Sequence, residues 1–305
     1  MSSADLPLAG QVISPVQSVA LPDHDGTDAA ARPILAREKR ILGLPVSTWP
    51  GILAPLAVGL AILGFWEAIV RIKEIPPYIL PGPILVAQTL VSDWPTLSGS
   101  LLVTLRITFA ALIAAVTIGV ALAIVFTQSK WLEKALFPYA VILQVTPVVS
   151  IAPLIIIWVN DVNLSLLVCA WLVAFFPVLS NTILGLNSAD HNLVNLFQLY
   201  RANRWQTMRY LRLPAALPYF LGGLKISGGL ALIGAVVAEF VAGTGGSASG
   251  LAYRILESGY QLRIPRMFAA LLLISGSGIA IFMATSWIAH MALRRWHESA
   301  IRRET

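Results

Sequence analysis

The stretch that decides the fold is NSADHNLVNLFQLYRANRWQTMRYLRLPAALPYFLGGLKISGGLALIGAVVAE, residues 187–239. It places a polar, helix-forming insert before a long apolar run. The insert carries the arginines Arg201, Arg204, Arg209 and Arg212. Because charged side chains are costly in hydrocarbon, the arginines predict that the insert stays at the membrane surface. The pairs Leu213-Pro214 and Leu217-Pro218 interrupt it, since proline removes a backbone donor. The pattern indicates a docking loop and not a membrane span.

The composition indicates an integral membrane protein. Of the 305 residues, 57% are hydrophobic and only 12% are charged, whereas an ordinary soluble domain has roughly 25% charged residues. Six stretches have, or nearly have, the roughly 20 apolar residues that a spanning helix needs. The predicted spans are residues 51–70, 107–129, 135–159, 164–185, 220–242 and 267–293. The predicted fold class is therefore an all-α membrane protein with six transmembrane helices.

Lysine and arginine placement predicts the orientation, because cytoplasmic loops carry an excess of these residues. With the N-terminus inside, most of the 21 basic residues fall in inner loops and tails. The exceptions are Arg71, Lys73, Arg106, Arg254, Arg263 and Arg266. Both termini and the docking loop are thus predicted to be cytoplasmic. The net charge of +6 then reflects topology and not nucleic-acid binding.

The pattern divides the chain into three regions. Residues 1–48 are predicted to be a largely disordered cytosolic tail, too polar for a cleaved secretory signal. Its basic segment 36–44 is either a positive anchor or an interfacial helix. Residues 49–296 form the transmembrane domain, with the docking loop at 187–219. Residues 297–305 are predicted to be a cytosolic C-terminal tail.

Two segments on the predicted outer side are too long to be simple turns. Residues 75–96 begin with prolines and continue in an amphipathic helical pattern. Residues 243–265 open with GTGGSASG and continue in a mixed helical pattern. They are predicted either to form an outer rim on which a soluble partner sits or to be passive connectors.

The docking loop resembles the cytoplasmic loop of permease subunits of bacterial ATP-binding-cassette importers. That loop has the pattern Glu-Ala-Ala, three residues, Gly, nine residues, Ile, one residue, Leu-Pro. With Leu213-Pro214 as the closing pair, Leu211 stands at the Ile position and Arg201 at the Gly position. Asn195-Leu196-Phe197 then stands at Glu-Ala-Ala. The spacing fits fully, and the residue types fit in part.

Three further segments resemble one branch of this family, which handles nitrate, sulfonates, taurine and thiamine-pyrimidine or flavin precursors. They are RWQ at 204–206, LPAALP at 213–218 and IGAVVAEF at 233–240. The similarity runs from about residue 49 to about residue 296. It therefore covers nearly all of the chain beyond the N-terminal tail.

The resemblance implies an importer driven by partner chains. The expected partners are a second copy of this chain, two cytosolic ATPase subunits and a periplasmic or lipid-anchored binding protein. A short helix at about 192–200 would lie in a cleft of the ATPase, followed by a turn into a second helix that the prolines end. The expected coupling residues are Asn195, Leu196, Phe197, Arg201, Ala202, Arg204, Trp205, Leu213 and Pro214. The alternative is a plain basic loop, which would not explain the Leu-Pro spacing.

Arg201 departs from the family pattern, in which glycine allows a tight turn. Three consequences are open: a helix that carries straight through, a looser coupling geometry, or an extra contact to acidic residues of the partner.

Polar residues inside the predicted spans are candidates for the solute pathway. They are Gln144, Thr146, Ser150, Asn181 and Ser227. Pro147 and Pro153 favour the third span as the pathway wall, because prolines free carbonyls that must line a cavity or find donors. Each polar residue alone is more often a contact between helices. As a group they are equally consistent with either role.

Two ionisable residues lie at similar predicted depth near the outer face. Arg106 falls near the end of the second span, and Glu239 falls near the end of the fifth. They are predicted to form an ion pair, or at least to lie close together. Such a pair would either gate the pathway or hold two helices together.

Several chemistries have no motif in this sequence. No Gly-x-x-x-x-Gly-Lys-Ser/Thr loop is present, so ATP and magnesium are expected on a partner ATPase and not on this chain. Protease and hydrolase motifs are also missing, and a metal site is not expected, since Cys169 stands alone and the histidines are scattered. The chain is therefore predicted to be a non-catalytic permease. The alternative is an ion-coupled secondary transporter, which would require ionisable residues near the bilayer midplane and an internal repeat.

Overall fold

The computed structural model describes residues 40–41, 44–45, 49–243 and 249–294. These ranges are almost entirely helical. The helices are α1 Trp49–Ile72, α2 Pro83–Ser92, α3 Trp94–Gln128, α4 Lys130–Val145, α5 Val148–Trp158, α6 Val162–Asn187, α7 His191–Leu199, α8 Arg204–Thr207, α9 Leu213–Ala242, α10 Leu251–Tyr260 and α11 Ile264–Leu293. A π-helical turn, Met208–Arg212, joins α8 to α9.

The chain divides into two compact units, residues 1–57 and 58–305, and the contacts between helices discussed below lie within the second. In the first unit, the two-residue strands β1 (Arg40–Ile41) and β2 (Leu44–Pro45) pair antiparallel. The interfacial-helix alternative for 36–44 is therefore wrong at its described residues. The rest of the two predicted tails, 1–48 and 297–305, lies outside the described residues.

The predicted all-α membrane architecture is confirmed. Five helices are long and apolar enough to cross a membrane: α1, α3, α6, the continuous run Arg204–Ala242, and α11. A sixth crossing results if α4 and α5 together make one span. These two helices meet at a bend of 100°, so the predicted third span at 135–159 is broken in its middle and is not one continuous helix. Pro147 explains the break, because it disfavours helical geometry at Thr146, which is extended with ψ of 122°.

Helix α3 is longer than its predicted span. It starts at Trp94, after the N-cap residue Asp93, and has 35 residues. At 1.5 Å per residue this is about 52 Å, against a hydrocarbon thickness of about 30 Å. The helix therefore extends well beyond the apolar segment from which the sequence placed it.

The centre of the second unit is the contact between α6 and α9, where glycines bring the two backbones together. A Cβ on Gly223 would lie 2.7 Å from the Pro177 carbonyl oxygen, and one on Gly234 would lie 2.9 Å from Ala170 Cα. Such close approach strengthens van der Waals contact, which stabilises helix association in membranes. Gly223 and Gly234 therefore allow the close packing of α6 against α9.

The helical patterns at 75–96 and 243–265 are confirmed as α2 and α10. Both helices pack near α11, around the buried residues Val86, Leu251 and Ile255. Helix α9 has 30 residues, about 45 Å at the α-helical rise. Helix α10 therefore lies at the opposite end of α9 from the docking loop.

Candidate functional site

Helix α7 starts the docking loop and is defined by a side-chain cap. The carboxylate of Asp190 accepts a hydrogen bond from the Asn192 amide at 2.7 Å, which satisfies one of the free donors at a helix N-terminus. None of the α7 residues is buried. Leu193 and Leu196 are each 46% exposed, and Leu199 is 84% exposed. The predicted short helix at 192–200 is therefore present, and its apolar side chains are free to contact another protein.

A tight turn at Arg201 ends helix α7. The Ala202 amide donates to the Phe197 carbonyl at 2.9 Å, and the Arg201 amide donates to the Gln198 carbonyl at 2.9 Å. These bonds form a Schellman motif, whose key residue is left-handed and usually glycine. Arg201 has this conformation, with φ of 51°. Arginine thus makes the turn that glycine makes in the family, and the alternative of a helix that carries straight through is wrong.

A reciprocal capping box starts the second helix of the loop. The Gln206 amide donates to the Asn203 side chain at 2.7 Å, and the Asn203 amide donates to the Gln206 side chain at 2.8 Å. Capping boxes satisfy two donors at once and fix the entry of the chain into a helix. The loop is therefore held by defined bonds on both sides of the turn.

The prolines do not end this second helix, which corrects the sequence expectation. The π-helical turn widens the helix, and the Leu213 amide bonds to the Met208 carbonyl, five residues back. Pro214 directly follows this turn, at the second residue of α9. Helix continues from Arg204 to Ala242 as one run of 39 residues.

The surface of the loop combines exposed aromatic rings with arginines. Tyr200 is 80% exposed, Trp205 is 64% exposed and Tyr210 is 67% exposed. Large exposed apolar groups that cluster in this way mark interaction sites. Among the described residues, none of the four loop arginines forms an ion pair within 4 Å. Their charges are therefore available to acidic groups of another chain.

Two cavities lie on the two sides of the turn. One, of about 360 Å³, is lined by Leu196, Phe197, Tyr200, Ala202, Gln206 and Tyr210. The other, of about 330 Å³, lies among α7, the turn and the end of α3, and Arg204 and Arg212 contribute to its lining. The predicted coupling residues Leu196, Phe197 and Ala202 thus share one concave surface. Asn195 is exposed beside them on α7, while Leu213 and Pro214 are half-buried at the start of α9.

The docking loop lies within a segment that matches a known family. Residues 115–303, more than half of the chain, match the family described as the binding-protein-dependent transport system inner membrane component. The chain belongs to this family. It is a permease subunit of an ATP-binding-cassette importer and an inner-membrane protein.

Relatives place the permease in the branch that the sequence pattern predicted. It is 34% identical over 274 residues to the riboflavin transport system permease protein of Chloroflexus aurantiacus, covering 88% of this chain and 98% of the relative. It is 31% identical over 242 residues to the formylaminopyrimidine transport permease protein of Halalkalibacterium halodurans, covering 79% and 95%. It is 25% identical over 244 residues to the taurine transport system permease protein of Escherichia coli, covering 76% and 83%. The predicted family and function class are confirmed, and none of these similarities favours the ion-coupled alternative.

The five predicted pathway residues of the permease are not brought together. Gln144, Thr146 and Ser150 lie around the bend between α4 and α5, where Gln144 and Ser150 are exposed and Thr146 donates to the Ile142 carbonyl at 2.7 Å. A pathway role for these three residues stays a prediction.

Asn181 and Ser227 lie in the contact between α6 and α9. The Ser227 hydroxyl is fully buried and donates to the Ala174 carbonyl on α6 at 2.7 Å. The Asn181 amide donates to the Pro177 carbonyl at 2.8 Å within α6. In this conformation the Ser227 hydroxyl joins two helices, which is the packing role that the sequence left open, and a pathway role for Asn181 and Ser227 stays a prediction.

The predicted ion pair between Arg106 and Glu239 is wrong. None of the ion pairs in the described part of the permease joins them. Arg106 is exposed and lines a separate cavity of about 480 Å³ with Asn163. The Glu239 carboxylate instead accepts hydrogen bonds from the Thr104 hydroxyl at 2.8 Å and from the Ala252 amide at 3.0 Å.

Sequence reasoning missed Thr104 and Gly250 as partners of Glu239. Thr104 is one of four polar residues in the stretch SLLVTLRIT, in which Arg106 attracted the prediction because it is charged. Gly250 was noted only as the last residue of the GTGGSASG run that opens segment 243–265. A glycine directly before a helical pattern is a possible N-cap, and that signal was present in the sequence.

Proposed function

We propose that this permease works as a homodimer, with two cytosolic ATPase subunits bound at the docking loop and a solute-binding protein bound at the opposite end. The observation that carries the proposal is the exposed aromatic and basic surface around Trp205. Tyr, Trp and Arg dominate the binding energy of protein interfaces. The two capped turns hold this surface in one conformation before binding, which reduces the entropy cost of association.

The proposed mechanism is alternating access driven by the partner chains. ATP and magnesium bind to the ATPase subunits, and closure of these subunits displaces the docking loop. Because helix is continuous from Arg204 to Ala242, a displacement at the loop moves the whole spanning helix. The pathway then opens outward to receive the solute, and hydrolysis returns it to the inward-facing state.

The proposed orientation places both termini and the docking loop in the cytoplasm. The loop arginines support it, since cytoplasmic loops are rich in basic residues. A test is accessibility of single cysteines to a membrane-impermeant maleimide in intact cells. A cysteine at Tyr260 should react from outside, and a cysteine at Tyr200 should react only after the cells are opened. The reverse pattern would overturn the orientation.

For the solute, we infer a heteroaromatic compound of the flavin or pyrimidine type. The support is that relatives named for riboflavin and formylaminopyrimidine transport are at least 31% identical and aligned over at least 95% of their length. Taurine, aliphatic sulfonates and nitrate, named in other relatives, are the competing solutes. Uptake of labelled riboflavin, aminopyrimidine, taurine and nitrate by proteoliposomes of the complete importer decides among them.

Capture of the ATPase subunit tests the docking proposal. The tagged permease should retain its ATPase through detergent purification. Trp205→Ala and Arg204→Ala should each weaken capture about tenfold or more, since removal of a central aromatic or arginine anchor commonly costs about 2 kcal/mol. Tyr260→Ala is the matched control, because Tyr260 is also an exposed aromatic residue, at 87%, but lies on α10. It should leave capture unchanged.

Two results would contradict the docking proposal. Equal capture by the Trp205 variant and the wild-type chain would show that the aromatic surface is not the docking site. A permease that purifies without an ATPase and still transports solute along an ion gradient would instead support a secondary transporter.

A further inference from the structure

Glu239 is a buried acidic side chain near the end of α9 that no part of the proposed mechanism uses. Only 3% of it is exposed. Its two carboxylate oxygens accept separate hydrogen bonds, one from the Thr104 hydroxyl at 2.8 Å and one from the Ala252 amide at 3.0 Å. Within the described ranges no lysine, arginine or histidine lies within 4 Å of it. Hydrogen-bond donors of two other helices therefore stabilise the carboxylate.

These bonds join three helices at one point. Thr104 belongs to α3, Glu239 to α9 and Ala252 to the first turn of α10. The Thr104 hydroxyl oxygen also accepts a hydrogen bond from the Leu251 amide at 2.9 Å. Two consecutive amides at the start of α10 thus bond to side chains of α3 and α9. The residue before them, Gly250, packs so closely on the carboxylate that an added Cβ would overlap it.

Glu239 takes the place of an N-cap residue for α10. Gly250 stands at the N-cap and offers no side-chain oxygen, so the amides of the first turn need acceptors from elsewhere. A carboxylate there also interacts favourably with the helix dipole. Helix α10 is therefore bonded to α9 by the hydrogen bond from the Ala252 amide to Glu239, and to α3 by the one from the Leu251 amide to Thr104.

The other end of the same helical run is the docking loop. Helix from Arg204 to Ala242 has 39 residues, about 58 Å at the α-helical rise. Arg204 and Trp205 begin this run, and Glu239 lies three residues before its end. A movement of the docking loop therefore reaches α10 through covalent helix followed by one hydrogen bond, from Ala252 to Glu239, and by a second route of two hydrogen bonds through Thr104.

We propose that Glu239 is a positioning residue that transmits movement of the docking loop to helix α10 on the outer surface. This inference rests on the proposed docking of the ATPase. It assigns Glu239 neither to the solute pathway nor to an ion pair. Binding of ATP on one side of the membrane then changes the position of the surface that receives the solute-binding protein on the other side.

Glu67 provides a matched control within the same chain. Its carboxylate accepts a hydrogen bond from the Ile84 amide in the first turn of α2 at 3.3 Å, and a Cβ on the N-cap residue Gly82 would lie 2.5 Å from it. Glu67 thus caps α2 as Glu239 caps α10. It lies on α1, however, which is not continuous with the docking loop.

The test is a fluorescent reporter on α10 in the complete complex of permease and ATPase in lipid nanodiscs. Tyr260→Cys carries the label, in a background with Cys169→Ala. ATP with vanadate should change the label fluorescence in this parent. Glu239→Ala should reduce the change about fivefold or more, within the range usual for coupling between sites. Glu67→Ala should leave it unchanged.

Two further variants separate positioning from folding. Glu239→Gln keeps the side-chain shape and one carbonyl acceptor, so it should restore at least about half of the change. Thr104→Val removes the hydroxyl at nearly constant side-chain volume, and it should lower the fluorescence change about twofold to fivefold. If Glu239→Ala fails to assemble, the Thr104 variant decides the outcome.

The outcomes distinguish this inference from the docking proposal. If the parent does not capture the ATPase, the docking proposal fails and this inference fails with it. An equal fluorescence change in the parent and in the Glu239→Ala or Thr104→Val complex overturns the inference alone. The inference is also overturned if the label fluorescence of the parent complex does not respond to ATP although the complex hydrolyses ATP. It is overturned as well if Glu67→Ala reduces the fluorescence change as much as Glu239→Ala does.

Discussion

Replacement of Gly250 by alanine should destabilise the permease strongly, although its backbone geometry suits any residue. Gly250 has φ of −82° and ψ of −177°, so the effect comes from the methyl group alone. That group overlaps the Glu239 carboxylate, which is buried and cannot move into water. Displacement removes the hydrogen bonds from Thr104 and Ala252, each worth about 1.5–3 kcal/mol when one partner is charged. Allowing for relaxation of the neighbours, we expect a loss of about 3 kcal/mol.

Two other glycines serve as controls for the Gly250 variant. Gly82→Ala is also an N-cap substitution, which by itself lowers stability by about 1 kcal/mol. The added methyl group should not cost more, because the Glu67 side chain is 19% exposed and can move away from it. Gly259 lies in α10 with nothing within 4 Å of a Cβ, so alanine there should be neutral or stabilising by up to about 1 kcal/mol.

Thermal unfolding in detergent, followed by tryptophan fluorescence, measures the three variants. The melting temperature should fall by about 6–10 °C for Gly250→Ala, by much less for Gly82→Ala, and not at all for Gly259→Ala. In a Glu239→Ala background the Gly250 substitution should cost no more than the Gly82 substitution, because the overlap is gone. Equal melting temperatures for the Gly250 and Gly82 variants would refute the buried carboxylate contact.

Three further predictions concern the docking loop and the contact between α6 and α9. Arg201→Gly should stabilise the turn by removing left-handed strain of about 1–2 kcal/mol. The greater entropy of glycine in the unfolded chain opposes this gain by about 0.4–1 kcal/mol, so the net effect is stabilising. Hydrogen exchange of the next amide should therefore slow about threefold, and faster exchange would contradict the turn. Gly223→Ala should lower the free energy of unfolding by about 2 kcal/mol, because the added methyl group overpacks the contact. Gly222→Ala has nothing within 4 Å of its Cβ and should lower it by less than about 1 kcal/mol. Equal losses for the two variants in detergent unfolding would refute the packing. Ser227→Ala should cost about 0.6 kcal/mol, a typical value for a hydrogen bond between membrane helices, and a loss above about 2 kcal/mol in the same assay would contradict a simple packing role.

Apolar length predicted the spans because it determines which segments enter the membrane. It did not predict where helices end outside the hydrocarbon. Helix α3 begins at Trp94, thirteen residues before the predicted span at 107–129, because Asp93 and Pro95 favour a helix start there. Counting apolar residues also joined α4 to α5, since the effect of Pro147 on the preceding backbone does not change hydropathy.

The two helices of the docking loop were predicted because their signals are local, although the predicted end of the second helix at the prolines was wrong. Asp190, Asn203 and Gln206 act on amides within three residues, so the sequence alone contains both partners of each bond. The turn at Arg201 was left open, because arginine has no intrinsic preference for the left-handed region. Only the two backbone bonds around it show that the turn is made.

The ion-pair prediction failed because depth in the membrane does not determine which face of a helix a residue occupies. Thr104 and Arg106 differ by two residues, about 200° around an α-helix. When Thr104 faces Glu239, Arg106 must face away from it. The same reasoning explains Ser227, whose face of α9 is set by the close approach of α6 and not by its own polarity.

The π-helical turn at Met208–Arg212 has a consequence for the rotational position of the docking loop. A π turn contains one residue more than the α-helical turn that it replaces, and each residue of an α-helix corresponds to about 100° of rotation. The turn therefore sets the direction in which Trp205 points independently of the face that α9 presents to α6. Deletion of one residue within 208–212 would restore a regular helix with nearly the same rotation between Trp205 and α9, whereas the five residues wound as regular α-helix would rotate the aromatic surface by about a quarter turn. In this protein the choice of docking direction and the packing of the membrane helix are separate properties of one continuous helix.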